Sequence, residues 1–146
     1  MLRIGKLTDY ATTVMALMAE RPADLHSASE LAARARLEAT TVAKLLKRLA
    51  AGGLVESRRG ASGGYRLARP ANEISVADIV AAMEGPIGVT ECSLHDGLCD
   101  LESHCGTRGN WQRISAAVEQ ALRGIRLSEM TDPAARRRIP VQLAAN

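Results

Sequence analysis

The sequence predicts a mainly α-helical protein with one small β-hairpin and a long helix near its C-terminus. Three observations predict it. The 146 residues contain no Phe, one Trp and two Tyr, so the expected interior is aliphatic and helix-packed. Apolar residues recur at spacings of three and four in successive stretches. Two short β-prone runs break that period, and they flank Arg59-Gly60-Ala61-Ser62-Gly63-Gly64. A chain of this length suits one compact domain, or a small domain with an appended element.

The first helix is read from Leu7, Tyr10, Ala11, Val14, Leu17 and Met18, which share one face from Thr8 to Ala19 before Arg21-Pro22 ends it. Ser27, with Glu30 three residues on, is a capping-box pattern that opens a short second helix through Leu31 to Ala35. After a tight turn near Arg36-Leu37, Val42, Leu45, Leu46 and Leu49 line a third helix that stops at Gly52-Gly53. Its outer face bears Thr40, Thr41, Lys44, Lys47 and Arg48. Two short helices joined by a few residues, the second polar and basic outside, form a helix-turn-helix.

Leu54 to Arg58 and Tyr65 to Ala68 then read as strands of a hairpin, with Arg58, Arg59, Ser62, Gly63 and Tyr65 at or beside its tip. Glycines let backbone approach a phosphate or enter a minor groove, where the arginines meet negative potential. A nucleotide phosphate loop is the rival reading. It fails because G-x-x-x-x-G-K-[ST] is absent and no amphipathic helix opens on the loop. The arrangement is a winged helix-turn-helix.

Beyond Pro70, Ser75 and Asp78 cap a helix with Ile79, Val80 and Met83 inward, terminated by Gly85-Pro86. Cys92, Cys99 and Cys105 follow as C-x6-C-x5-C, the only cysteines of the chain, on a polar stretch without helical or strand period. An odd count excludes a fully paired set of internal disulfides, and nothing at the N-terminus reads as a secretory signal, so reduced thiols in the cytoplasm are expected. Their neighbours Glu91, His95, Asp96, Asp100, Glu102 and His104 are poor core material. Clustered thiols are soft ligands that suit iron-sulfur clusters, zinc or copper(I). Trp111, Ile114, Val118, Ala121, Leu122 and Ile125 then recur along a helix from Arg108 to Leu127. The same helix of a second chain is expected to cover this stripe, the alternative being packing on the chain's own helices. The chain therefore divides into a DNA-binding unit (1–84), a cysteine loop (85–106), a dimerisation helix (107–128) and a loose tail (129–146) containing Arg136-Arg137-Arg138.

Charge follows the same division. Residues 1–69 carry twelve Lys and Arg against six Asp and Glu, whereas residues 70–128 carry four against eight. Positive charge thus concentrates where a polyanion would be held, and the cysteine loop is acidic. No apolar run approaches the ~20 residues that span a bilayer, so a soluble protein is expected.

Leu7-Thr8-Asp9-Tyr10-Ala11, the helix-turn-helix, the wing Arg58-Arg59-Gly60-Ala61-Ser62-Gly63-Gly64-Tyr65, and a three-cysteine loop before a long helix with Trp111 together resemble the IscR/NsrR-type family of winged-helix transcription regulators. The likeness covers roughly residues 1–130, and the start Met1 to Tyr10 looks most like the branch regulating the SUF iron-sulfur assembly operon. The resemblance implies a cytoplasmic homodimer that binds a palindromic operator. It also implies an iron-sulfur cluster on Cys92, Cys99 and Cys105, 4Fe-4S ahead of 2Fe-2S, and repression that depends on cluster state. IscR-like members place a histidine three residues after the last cysteine, where this chain has Arg108. NsrR-like members use an aspartate of the partner's first helix, a place matched by Asp9, with His104 and His95 as alternatives. Asp9 could equally be a helix-capping residue. A link of loop to helix-turn-helix across the dimer would, when broken, shift the recognition helices from the ~34 Å spacing of successive major grooves. Competing readings are a zinc-stabilised Cys3His module, an enzyme using the metal, and a nitric-oxide- or iron-responsive regulator of other genes.

Overall fold

In the computed structural model, which describes residues 3–131, the chain is mainly helical. Helices α1 (Lys6–Ala19), α2 (Ala28–Ala35) and α3 (Ala39–Ala51) precede strands β1 (Val55–Arg58) and β2 (Gly64–Leu67). Helices α4 (Val76–Glu84), α5 (Glu91–Leu94), α6 (Arg108–Arg123) and α7 (Leu127–Thr131) follow. The strands pair antiparallel, with Val55 opposite Leu67 and Arg58 opposite Gly64. This is the winged helix-turn-helix with a hairpin wing that the sequence predicts.

The core joins α1, α2, α3, the base of the wing, α4 and α7. Val14, Met15 and Met18 of α1 pack with Leu31, Leu45, Leu46 and Leu49, and Ile74, Ile79 and Leu127 close the other side. Leu7, placed inward by its period, is instead about half exposed. Its turn is the first of α1 and projects past the core, beside Thr41 and Lys44. The inward position in that turn belongs to Thr8, whose hydroxyl donates to Glu84 at the end of α4.

Helix ends follow from local chemistry. Ser75 and Asp78 form a complete capping box on α4. Ser27 accepts from the Glu30 amide at 3.0 Å, but the Glu30 carboxylate is taken by Arg21, so that box is half made. At the end of α3, Gly53 (φ +71°) donates to the Ala50 carbonyl and Leu54 to that of Leu49, both at 3.0 Å. That is a Schellman closure, and the left-handed residue it needs is the glycine.

The long helix α6 differs from its expected extent. It ends at Arg123, because the Ile125 carbonyl accepts from the Val76 amide at 2.9 Å and Leu127 donates to Ile74 at 2.8 Å. Those bonds pull the chain across the start of α4 and bury Leu127. Residues 129–131, expected to begin the tail, therefore close α7 instead. The remainder of that tail, including Arg136-Arg137-Arg138, lies outside the described residues. No helix of the described residues is long and apolar enough to cross a membrane.

Candidate nucleic-acid interface and thiol loop

Val42, Leu45, Leu46 and Leu49 bury one face of α3, which turns Thr40, Lys44, Lys47 and Arg48 to the exterior, with Thr41 at the margin. Thr40 and Thr41 stand in the first turn, the part of a recognition helix that reaches base edges. On the wing, Arg58, Arg59 and Ser62 are exposed, while Tyr65 packs partly against the core. A Cβ at Gly63 would lie 2.3 Å from the Arg58 carbonyl oxygen, so only glycine permits this tight tip. Glu56 and Arg66, directly paired across the hairpin, form an ion pair at 2.8 Å.

The ion pairs are unevenly distributed. Arg21, Arg34, Arg66 and Arg69 each meet a carboxylate. Among the described residues, Lys44, Lys47, Arg48, Arg58 and Arg59 meet none. Cations left without carboxylates on a recognition helix and its wing are what a polyphosphate would neutralise.

The three cysteines are free thiols on the segment between α4 and α6. Cys92 is buried within α5, a helix absent from the sequence reading, while Cys99 and Cys105 are half-buried. The Cys92 and Cys105 sulfurs lie 3.3 Å from the Thr90 and Thr107 hydroxyls. Hydrogen bonds from the Thr107 side chain and backbone hold the Cys105 thiol below its ordinary pKa, which favours the metal-binding thiolate. As donors the thiols fit an iron-sulfur or zinc ion site in kind. They do not converge: no three His, Cys, Asp or Glu side chains among the described residues stand together in ligating position. Of the proposed fourth ligands, His104 bonds Ser103 at 2.7 Å, His95 is exposed, and Asp9 is exposed on the first turn of α1. Asp9 shares an open depression of about 560 Å³ with Arg3, Lys6, Thr12, Val76 and Met130.

The loop is pinned at its ends. The Val89 amide donates to the buried Ser115 hydroxyl of α6 at 3.0 Å. Arg108 pairs with both Asp96 and Glu102 at 2.5 Å, and Glu102 also accepts from the Gly97 amide. Just before the loop, Glu84 accepts from the Gly5 amide at 2.8 Å and from Thr8, capping α1 from another helix. Sequence reasoning missed Glu84 and the Arg108 pairs because their partners are set by tertiary contact, though the unusual Arg108 was a visible signal.

Four of the six stripe residues, Trp111, Ile114, Ala121 and Ile125, are exposed. Val118 and Leu122 are half-buried, facing Val80, Ile87 and Val89 across a small cavity. Ser115 is the one fully buried residue of α6.

Fold and cation distribution define a winged helix-turn-helix DNA-binding transcriptional regulator. Residues 4–133 match the model of the Rrf2 family, described as an iron-dependent transcriptional regulator, and the chain belongs to that family. It is 32% identical to the HTH-type transcriptional regulator IscR of Pectobacterium carotovorum over 135 residues, 90% of this chain and 80% of that protein. In structure it is similar to CymR, the global cysteine regulator of B. subtilis, with TM-score 0.70 and 30% identity over 90% of this chain and 97% of that one. It is also similar to IscR of T. potens, with TM-score 0.69 and 27% identity over 94% and 92% of the two chains. These relatives are transcriptional regulators, not enzymes.

Proposed function

We propose that the chain works as a homodimer that binds a palindromic operator and represses iron-sulfur assembly genes of the SUF type according to whether its thiol loop holds an iron-sulfur cluster. The observation that carries the reading is the position of the loop. It follows directly on Glu84, whose carboxylate caps the first turn of α1, and that turn carries Asp9 at the edge of the DNA-binding unit. Cys92, Cys99 and Cys105 are the thiol ligands, and Asp9 of a second copy is the fourth, ahead of His104 and His95. A cluster, when bound, would supply a tie between the thiol loop and the first helix of the second copy, and sensitivity to oxygen, nitric oxide and iron shortage. A carboxylate is a harder, weaker partner for iron than thiolate, which makes the Asp9 side the point of release. The exposed face of α6 brings two copies together, and Thr40, Thr41 and Lys44 of each face a major groove while Arg58 and Arg59 reach the backbone.

Anaerobic purification with iron and sulfide analysis, followed by operator titrations before and after exposure to nitric oxide, tests the proposal. Expected are a brown protein, loss of the chromophore in Cys92→Ala, Cys99→Ala and Cys105→Ala, and faster bleaching with weaker DNA coupling in Asp9→Ala. A colourless, zinc-loaded protein would replace the cluster by a structural ion. An unchanged Asp9→Ala beside a strongly affected His104→Ala or His95→Ala would reassign the fourth ligand.

A further inference from the structure

A buried histidine joins the wing to the helix-turn-helix. His26 lies between α1 and α2 and is 1% exposed. Its backbone exchanges two hydrogen bonds with Tyr65 of β2, both 2.8 Å. That single bridge is where β2 meets the body of the protein on the edge away from β1. The imidazole then fixes His26 itself. Its Nε2 is 3.1 Å from the Arg21 carbonyl oxygen, and because a carbonyl only accepts, the hydrogen in that bond sits on Nε2. The other nitrogen has no hydrogen-bond partner and faces the Glu30 carboxylate of α2 at 3.7 Å, the same carboxylate that Arg21 engages. On the wing side the fit is close, since a Cβ at Gly64 would stand 2.9 Å from the His26 carbonyl oxygen.

A two-stranded hairpin of four-residue strands has little stability of its own, so its direction is set by what it leans on. The base is held by buried Val55 and Leu67, but the exposed tip with Arg58 and Arg59 is not. We propose that His26 is a positioning residue for DNA binding: its imidazole, bonded to the turn that follows α1, holds β2 so that the wing arginines meet DNA in the same docking that seats α3. The proposal rests on the reading of the wing as a DNA contact. A branched aliphatic residue fills the same space and removes the tie between His26 and the Arg21 carbonyl, which keeps only the Asp24 amide, at 3.1 Å, as a donor. Glutamine places an amide N–H near the position of Nε2.

The test is fluorescence anisotropy across a salt series with the full chain, on a duplex that the wild type selects from a randomised pool. Variants are His26→Gln, His26→Leu, Gly64→Ala, the double variant Arg58→Ala with Arg59→Ala, and His26→Leu in that double background. The double variant is expected to lower the salt slope by roughly one to two units, since each released phosphate contact is worth about 0.9. His26→Leu and Gly64→Ala should lose about one unit, His26→Gln should keep the wild-type slope, and His26→Leu should add little in the double background. A wild-type slope in the double variant overturns the wing reading itself. A lowered slope there with wild-type slopes in His26→Leu and Gly64→Ala overturns the role of His26 alone. A loss in His26→Leu that is undiminished in the double background marks general loosening and also overturns it. If thermal melting shows His26→Leu unfolded, Gly64→Ala, which perturbs the same bridge from the wing, decides by the same criteria.

Discussion

Replacing Ile114 by Glu separates a dimer seam from a merely exposed helix. Ile114 is 45% exposed, one turn from Trp111 at 40%, and its side chain has little of its own protein to lean on. Covering that surface removes roughly 80 Å² of apolar area from water per copy, worth about 2 kcal/mol at ~25 cal/mol per Å². In a two-fold dimer the same residue is buried twice, so its loss costs on the order of 4 kcal/mol, about a thousandfold in dimer dissociation. Glutamate adds an unpaired charge on each side of the seam. The site suits the test better than Val118 or Leu122, which line a small cavity with Val80 and Ile87, so that changing them disturbs the fold as well. Sedimentation equilibrium should show Ile114→Glu monomeric at concentrations where the wild type is dimeric, with an intact circular dichroism spectrum and weak binding to the palindrome. Ile114→Ala should fall between them. An unchanged association constant in Ile114→Glu, or a wild-type monomer that binds a palindrome tightly, would refute the argument.

Two other predictions follow from the recognition helix and the capping box. Thr41→Ala or Lys44→Ala should lose about 1 to 3 kcal/mol of discrimination at particular base pairs, whereas Arg59→Ala weakens all sequences more evenly; a selection on randomised duplexes reads the difference. At Asp78, partial burial raises the carboxyl pKa, but hydrogen bonds from the Ser75 amide and hydroxyl, with Arg69 and Arg123 nearby, hold it below its ordinary value. Because the folded value is the lower one, the stabilisation is full above the unfolded carboxylate range near 4 and fades as pH falls through the folded value. Asp78→Ala should therefore cost about 1 kcal/mol in neutral urea melts, and the two proteins should converge in acid; a constant gap down to low pH would remove the carboxylate from the cap.

How much was legible depended on whether an element answers to its own sequence or to a distant partner. The core faces of α3 and α4, the Ser75–Asp78 box and the glycines closing α3 and the wing are local effects, and they stand where periodicity and turn chemistry put them. Leu7 obeyed the helical period yet lies outside the core, because period gives a direction and not the extent of the neighbouring surface. Glu30 completes the half-box on paper but is claimed by Arg21, nine residues away. The end of α6 is set by backbone bonds to Ile74 and Val76, some fifty residues earlier. No spacing rule encodes that. His26 was silent for the same reason: a single polar residue between helices carries no period, and only its burial and partners mark it.

The thiol segment was legible in composition and illegible in geometry, and the pins at its ends suggest why the two differ. Val89 is fastened to Ser115, and Arg108, half-buried, gathers Asp96 and Glu102. The closing of a chain segment costs less when its ends are already held, because part of the loop entropy has been removed beforehand. The cysteines thus sit on a segment already held against α6 by the Val89–Ser115 and Arg108 contacts, while Leu98 and Leu101 remain open to the exterior. Exchange of the proposed ligand at such a loop would not require unfolding the helix-turn-helix, whose core lies in α1 to α4 and α7. Any effect of the loop on DNA must then pass through its edges. On one side that edge is Glu84 and the first turn of α1, and on the other it is the exposed face of α6. In the proposed homodimer, both routes would alter how two copies are disposed more readily than how one copy is folded, which is the property a regulator needs to change operator affinity while keeping a recognition helix intact.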